Sequence, residues 1–191
     1  MTDDAAPRAE RSLDPAELRG RDRYHLMTSL VGPRPIGWLS TWGPDGVANL
    51  APFSYFAALS VAPMLVGVSI GERRDGLKDT IVNVRARGAF CVNVVTEELL
   101  EAMNESSATV APEVDEFRLA GLGRAVSERV DAPFVAEARA VLECVVRQEV
   151  DLDIGHVSSE RNVRKRRRRE VEDVHHTEDT ADVYGGGEVD N

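Results

Sequence analysis

Short apolar runs separated by glycine and proline dominate the middle of the chain and predict β-strands. Runs at 36–41 and 47–51 flank the sequence Gly43-Pro44-Asp45-Gly46, which is a strong turn signal, so this region predicts a β-hairpin. Further runs rich in β-branched residues predict strands at 64–70, 89–95 and 141–150.

Two helices are predicted from their start signals. Asp14-Pro15 opens one near the N-terminus, because proline is tolerated in the first turn of a helix. Asp79 or Thr80 caps another that runs to about Arg87. The spacing of the apolar residues in this second helix predicts that three of them face the core: Ile81, Val82 and Val84.

Two shorter helical segments complete the pattern. Thr96 is predicted to cap a helix over 97–104, and residues 135–139 are predicted to form a short helical turn. The strands do not alternate with helices in a βαβ series. Short strands with a few scattered helices therefore predict a mainly β protein, a β-barrel with flanking helices.

Charge patterning divides the chain into three parts. A basic block at 161–169 precedes an acidic stretch at 170–191 that contains neither lysine nor arginine. Such a segment has too few large apolar residues to offset the entropy of ordering it. We therefore expect a flexible N-terminal segment at 1–20, a folded domain at 21–155, and a charged, disordered tail at 156–191.

Composition narrows the classes of function. The chain has 191 residues, enough for one domain, and a formal net charge of −10 that argues against nucleic acid as the main partner. The basic run at 166–169 keeps a weaker nucleic-acid hypothesis open beside that of a tail that pairs with its own acidic half. No apolar run is long enough for a membrane span, and two cysteines favour a reducing cytoplasm over a disulfide scaffold.

The usual signs of acid–base, metal and dinucleotide chemistry are missing from the sequence of the predicted domain. His25 is the only histidine there, and we interpret it as a surface or interhelical residue. Gly121-Leu122-Gly123 lacks the third glycine of a dinucleotide-binding fingerprint. If the protein is an enzyme, a cofactor therefore supplies the chemistry.

Two stretches, 33–56 and 69–93, carry a more specific indication. The first combines apolar residues with small and polar ones, which let a flat ring approach the backbone: Asn49, Ala51 and Ser54. The second places basic residues just before a helix start, a combination suited to a phosphate: Arg73, Arg74 and Lys78. A flat-ring site and a phosphate site together predict a mononucleotide-like cofactor.

Four motifs within these stretches and one later motif, in order, carry a family resemblance: Pro33-Arg34-Pro35-Ile36-Gly37-Trp38, Asn49-Leu50-Ala51-Pro52-Phe53-Ser54, Lys78-Asp79-Thr80, Phe90-Cys91-Val92-Asn93 and, later, Val114-Asp115-Glu116-Phe117. With these motifs the chain resembles the flavin reductase-like, FMN-binding split-barrel family over about 24–147. That family includes the reductase components of two-component flavin monooxygenases.

The resemblance implies a Greek-key split β-barrel that forms a homodimer, with FMN near the dimer interface. It implies hydride transfer from NADH or NADPH to FMN, with reduced flavin supplied to an acceptor such as a monooxygenase. No catalytic side chain and no metal ligand are implied. Ten residues are implied to contact FMN: Ser40, Thr41, Asn49, Leu50, Ala51 and Ser54 at the ring, and Ser69, Arg73, Lys78 and Thr80 at the phosphate end. Trp38 and Phe53 are expected in the core.

The C-terminal part departs from the family pattern. Past about Glu149 the family continues with further strand sequence, whereas from Arg161 onward this chain shows no alternating apolar pattern. Either a divergent native tail or a frame change in the coding sequence accounts for this, and a missing strand would leave a barrel edge unpaired. The alternative function is accordingly a non-catalytic FMN-binding protein or an inactive, C-terminally altered paralogue.

Overall fold

A computed structural model describes residues 12–71 and 76–151 of the chain. Their helices are α1 (Gly20–Leu30), α2 (Asp79–Arg87), α3 (Leu100–Glu105) and α4 (Glu116–Leu119), with 3-10 turns at Pro15–Glu17 and Glu97–Leu99. Their strands are β1 (Gly37–Trp42), β2 (Ala48–Phe53), β3 (Phe56–Val61), β4 (Met64–Val68), β5 (Ala89–Asn93), β6 (Arg124–Val126), β7 (Pro133–Val135) and β8 (Val141–Val145).

The main sheet is antiparallel and has the strand order β2-β1-β5-β8. Ser40 in β1 lies opposite Leu50 in β2 on one side and Cys91 in β5 on the other. The pairs β3–β4 and β6–β7 form separate two-stranded sheets. Within the described ranges the sheets do not close into one barrel, and β2 and β8 are the edges of the main sheet. The prediction of a mainly β fold with flanking helices is confirmed.

The hairpin between β1 and β2 forms at the predicted turn. The N–H of Gly43 donates to the carbonyl of Val47 at 2.8 Å, and the N–H of Gly46 donates to the carbonyl of Gly43 at 3.0 Å. Gly46 has a φ of 78°, in the left-handed region that glycine enters without a Cβ penalty. This turn brings β2 back beside β1 and makes β2 an edge strand.

Apolar residues pack on both faces of the main sheet. Trp38 and Leu50 face one side, where they pack with Phe117 of α4, while Leu39 and Phe53 face the other side. Successive residues of a strand point to opposite faces, which is why neighbours such as Trp38 and Leu39 enter different clusters. The expected core positions of Trp38 and Phe53 are confirmed.

The prediction for the inward face of α2 was wrong for Val82, while Ile81 and Val84 are half-buried. The buried residues of this helix are Thr80 and Asn83, whereas the side chain of Val82 is 40% exposed. The reason is that α2 packs on a polar part of the sheet: Thr80 donates to Asn49 and Asn83 donates to Thr41. Buried polar groups that find such partners can form an interior helix face.

The helical turn predicted at 135–139 was also wrong at its start, because Val135 belongs to β7. The N–H of Val135 donates to Asn93 Oδ1 at 2.8 Å, and the N–H of Ala136 donates to the carbonyl of Gly123 at 3.0 Å. These bonds hold the backbone extended through Val135. A turn follows, in which the N–H of Ala138 donates to the Val135 carbonyl.

Several predicted boundaries differ from the structure. The predicted strand at 141–150 ends at Val145, and the predicted helix at 97–104 begins as a 3-10 turn before α3. Asp14 opens a 3-10 turn and accepts a bond from the N–H of Ala16, as its capping position predicts. The tail at 156–191 and the first eleven positions of the N-terminal segment lie outside the described residues.

Both cysteines are free thiols. Cys144 pairs with Phe90 across β5 and β8, so Cys91 and Cys144 occupy opposite faces of the sheet. Burial raises the pKa of each thiol to about 11, which keeps both protonated at neutral pH.

Among the residues that the structure describes, we find no helix with the length and apolar character needed to span a bilayer.

Phe117 provides a test of the core. Its side chain is 1% exposed, so Phe117→Ala should lower the free energy of unfolding by about 3–5 kcal/mol. Leu119→Ala in the same short helix is the matched control, because Leu119 is 44% exposed and should cost only about 0.5 kcal/mol. Urea denaturation measures both, and equal losses would contradict the packing of α4 described here.

Candidate functional site

A cleft of about 130 Å³ lies where β2, the start of α2 and the segment from α3 to α4 meet. The cleft brings together the two stretches that predict a mononucleotide-like cofactor, because β2 lies within 33–56 and α2 lies within 69–93. Twelve residues line it: Asn49, Ala51, Pro52, Phe53, Lys78, Asp79, Thr80, Ser106, Ser107, Ala108, Thr109 and Glu116.

The N-terminal end of α2 faces the cleft. The prediction that Asp79 or Thr80 caps this nine-residue helix was wrong, because Lys78 is its N-cap and Asp79 and Thr80 are its first two residues. The helix ends at Gly88, whose φ of 69° and N–H bond to the Val84 carbonyl close the last turn. Because the N-terminus of a helix carries partial positive charge and presents backbone N–H groups, this end of α2 favours an anion.

Lys78 adds a full positive charge to the same wall. Its Nζ atom lies 5.1 Å from the ring centroid of Phe53, within the range of a cation–π contact. Phe53 is buried and fixed in the core, so the half-buried lysine side chain rests on a rigid support. The ammonium group is thereby held at the cleft.

Buried polar side chains form a connected network behind the cleft. Asn83 Nδ2 donates to Thr41 Oγ1 at 3.0 Å, and Thr41 Oγ1 donates to Asn49 Oδ1 at 3.3 Å. Thr80 Oγ1 donates to the same Asn49 oxygen at 2.8 Å. These bonds tie the first two strands to α2, which fixes the start of that helix relative to the sheet.

Glu116, the first residue of α4, completes this network. Its Oε1 accepts from Asn49 Nδ2 at 2.9 Å, and its Oε2 accepts from the N–H of Leu50 at 3.2 Å. Burial raises the pKa of this carboxyl, and the nearby charge of Asp79 raises it further, while the hydrogen bonds oppose both effects. Asp115 caps the helix through bonds to the N–H groups of Phe117 and Arg118 and so positions Glu116.

The roles of Glu116 and of the segment at 106–109 were not predicted from the sequence. Glu116 stands within a motif noted for the resemblance, and a charged residue between a capping aspartate and a core phenylalanine is the signal that could have found it. Ser106 Oγ accepts from Trp38 Nε1 at 2.9 Å and donates to the Met103 carbonyl at 2.7 Å. No local pattern indicates that contact, because it links residues far apart in sequence.

Six of the ten predicted site residues lie at the cleft or directly behind it. Four of them line it: Asn49, Ala51, Lys78 and Thr80. Thr41 lies behind it, bonded to Asn49, and Leu50 contributes its backbone N–H to Glu116 while its side chain enters the core.

Three of the remaining predicted site residues lie away from the cleft: Ser40, Ser54 and Ser69. Ser40 donates to the Pro133 carbonyl at 2.6 Å and accepts from Asn93 Nδ2, on the face of β1 opposite Thr41. Ser54 lies in the half-buried turn before β3, and Ser69 is exposed after β4. Arg73 lies outside the described residues. Contacts of these four residues with a ligand stay predictions.

The cleft has the chemistry of an anion receptor beside a small apolar wall. Lys78 and the start of α2 provide positive charge and donors, while Ala51 and Phe53 provide apolar surface.

His25 lies away from the cleft, exposed on α1, where its Nε2 accepts from Arg21. Among the described residues no group of three or more His, Cys, Asp or Glu side chains could hold a metal ion.

Solved structures define the class of fold. Nitrilotriacetate monooxygenase component B from Bacillus cereus is 34% identical, with a TM-score of 0.72, and the match covers 74% of this chain and 70% of that one. A protein with a split-barrel domain from Shewanella frigidimarina is 28% identical, with a TM-score of 0.58 and coverages of 67% and 63%. The fold is a split barrel, as predicted.

The family follows from the sequence itself. The family model described as "Flavin reductase like domain" matches residues 30–182. An uncharacterized protein of Halalkalibacterium halodurans is 41% identical over 73% of this chain and 68% of its own length. The chain therefore belongs to the flavin reductase-like domain family, and the resemblance stated from its motifs is confirmed.

The buried network gives a pH-dependent prediction. Asn49→Asp places a second carboxylate against Glu116, and the like charge adds to burial in raising the pKa of Glu116. The folded variant then binds more protons than the unfolded chain above the ordinary glutamate pKa, so its stability falls as the pH rises. We expect the free energy of unfolding to drop by about 3–5 kcal/mol at pH 8, and by less at pH 5.

Urea denaturation at the two pH values measures this effect. Asn104→Asp is the matched control, because Asn104 is exposed on α3 and the same change of charge there should leave the stability nearly unchanged. A loss from Asn49→Asp that is equal at pH 5 and pH 8 would count against a buried Asn49–Glu116 contact.

Proposed function

We propose that this protein binds FMN at the cleft and transfers hydride from NADH or NADPH to it, so that reduced flavin reaches an acceptor such as a monooxygenase. Membership of the flavin reductase-like domain family supports a flavin and an oxidoreductase reaction. The similarity to a monooxygenase component from Bacillus cereus supports an oxygenase as the partner class. The observation that carries the proposal is the meeting of the ring stretch and the phosphate stretch in one cleft.

The residues at the cleft fit the phosphate end of FMN. Lys78 supplies a charge-assisted donor, and the first turn of α2 supplies backbone N–H groups. Thr80 Oγ1 already donates to Asn49, so Thr80 acts on an anion through its backbone N–H. Ala51 is small enough to let a flat ring lie against β2.

The cleft encloses only part of a flavin. Its volume of about 130 Å³ is well below the roughly 300–1,000 Å³ of typical small-molecule sites. A second copy of the chain in a homodimer supplies the remaining wall in this proposal, in agreement with the dimer that the resemblance implies. Ser40, Ser54, Ser69 and Arg73 stay proposed contacts of the bound flavin or of its phosphate.

The reaction places few demands on side chains. Bound FMN supplies the electron-accepting ring, and hydride transfer needs two rings held in contact rather than a proton-transfer residue. Lys78 and α2 anchor the anionic end, while Ala51, Pro52 and Phe53 form the wall beside β2. A cytoplasmic location is part of the proposal, because the two free thiols suit a reducing compartment.

An absorption spectrum of the purified protein, taken before and after anaerobic addition of NADH or NADPH, tests the proposed function. We expect a yellow protein, or one that turns yellow with added FMN, whose flavin absorbance bleaches with one of the nucleotides. A yellow protein that ignores both nucleotides would reject the reductase and favour the non-catalytic FMN-binding alternative. A protein that takes up no flavin would reject both.

Lys78→Ala tests the phosphate assignment. Removing a charge-assisted bond should weaken FMN binding by about 1.5–3 kcal/mol, measured by quenching of flavin fluorescence. Arg85→Ala is the matched control, because it removes a positive charge from the exposed, C-terminal part of the same helix, where Arg85 pairs with Glu149. Equal FMN affinity of the Lys78→Ala variant and the wild-type protein would contradict the assignment.

A further inference from the structure

We infer that Glu116 is a positioning residue of the flavin site, which orients Asn49 and, through Asn49, fixes Thr80 at the start of α2. By holding that helix start in place, Glu116 sets the affinity for the phosphate end of FMN. The inference rests on the proposed function, because it assigns a new residue to the same site. Glu116 acts through other side chains and transfers no proton or electron.

Both carboxylate oxygens of Glu116 are engaged by donors of β2. Oε1 accepts from the Asn49 side-chain amide at 2.9 Å, and Oε2 accepts from the Leu50 N–H at 3.2 Å. An edge strand such as β2 has backbone N–H groups that need partners from outside the sheet, and Glu116 provides one. The side chain is 4% exposed, so these bonds form away from bulk water.

The bond from Asn49 Nδ2 to the carboxylate decides which way the amide faces. With its nitrogen towards Glu116, Asn49 presents Oδ1 to the hydroxyls of Thr80 at 2.8 Å and Thr41 at 3.3 Å. A flipped amide would place its nitrogen beside two hydroxyls and its oxygen beside a carboxylate. Glu116 therefore fixes the hydrogen bond that Thr80 makes in the first turn of α2.

Only a carboxylate satisfies both donors at this position. Glutamine has nearly the same shape, but its amide offers one acceptor oxygen and one donor nitrogen. Whichever way that amide is turned, its nitrogen meets either the Asn49 amide nitrogen or the Leu50 N–H. Glu116→Gln thus either leaves buried donors facing each other or turns the oxygen of Asn49 away from Thr80, while it changes the volume of the site very little.

The charge of Glu116 and its position act on an anion in opposite directions. A carboxylate lining an anion cleft repels the anion, so removal of its charge alone should tighten binding. If Asn49 and Thr80 are no longer held in their orientations, the anion should bind more weakly instead. The charged groups that line the cleft with Glu116 are Lys78 and Asp79 of α2, and both stay in place when Glu116 is replaced. The sign of the change therefore separates a positioning role from a purely electrostatic one.

The test compares FMN with riboflavin, which has the same ring and lacks the phosphate. The dissociation constants of both flavins are measured by fluorescence quenching for the wild-type protein and for Glu116→Gln. We expect the preference for FMN to fall by about tenfold in Glu116→Gln, the effect of one misplaced hydrogen bond. Glu113→Gln is the matched control, because Glu113 is exposed in the same segment and does not line the cleft, so its preference should equal that of the wild-type protein.

A second measurement does not depend on a ligand. Hydrogen exchange of the Asn49 side-chain amide, followed by NMR in the flavin-free protein, should be faster in Glu116→Gln than in the wild type. If Glu116→Gln does not fold, Thr80→Val takes its place, since it removes the hydroxyl at the far end of the same chain of bonds and should lose the same preference.

The possible results separate the inference from the function it rests on. An unchanged or increased FMN preference in Glu116→Gln, or in Thr80→Val if that variant replaces it, overturns the inference. Equal weakening of FMN and riboflavin also overturns it, because it would show a role in stability alone. A rate of hydrogen exchange at the Asn49 side-chain amide that is the same in Glu116→Gln and in the wild-type protein also overturns the inference. A wild-type protein that binds neither flavin contradicts the proposed function, and the inference falls with it.

Discussion

The side-chain amide of Asn49 is the contact on which the rest of the site depends. It bonds to Glu116 of α4, to Thr80 of α2 and to Thr41 of β1, so three elements are fixed to β2 through one buried residue. Each of these groups has its partner inside the protein, which is the condition for burying them at acceptable cost. The cleft is the surface left open where β2, the start of α2 and the segment from α3 to α4 meet.

This arrangement separates support from binding. The bonded side chains hold β2 and α2 in register, and the groups directed to a ligand are Lys78, the first-turn backbone of α2 and the apolar wall at Ala51 and Phe53. Two carboxylates, Asp79 and Glu116, line the same small cleft as the single lysine. Under the proposed function, a phosphate at this cleft depends on the geometry of its donors as much as on net charge, which is why the orientation of Asn49 and Thr80 matters.

Local patterns predicted much of the fold. The glycine-rich turn at 43–46 predicted the first hairpin, and the start of α2 was predicted to within two residues, although the cap expected at Asp79 or Thr80 is Lys78 instead. The inward face of α2 was not predicted, since an apolar pattern does not show that Thr80 and Asn83 meet polar partners on other elements. The short strands β6 and β7 escaped prediction because Val135 is held by Asn93, forty-two positions earlier in the sequence.

At the site, too, local patterns predicted some residues and long-range contacts determine the others. Asn49, Ala51, Lys78 and Thr80 were predicted from two motifs and line one cleft. Ser106 and Glu116 line it as well, but their roles depend on bonds to residues far away in the sequence, even though Glu116 stands within a motif of the resemblance. The central claim is that one flavin uses both motifs together. A crystal structure of the protein with FMN tests it most directly. The account predicts the phosphate within hydrogen-bonding distance of Lys78 Nζ and the Thr80 N–H, with the ring against β2; an FMN whose phosphate lies away from the start of α2 would contradict it.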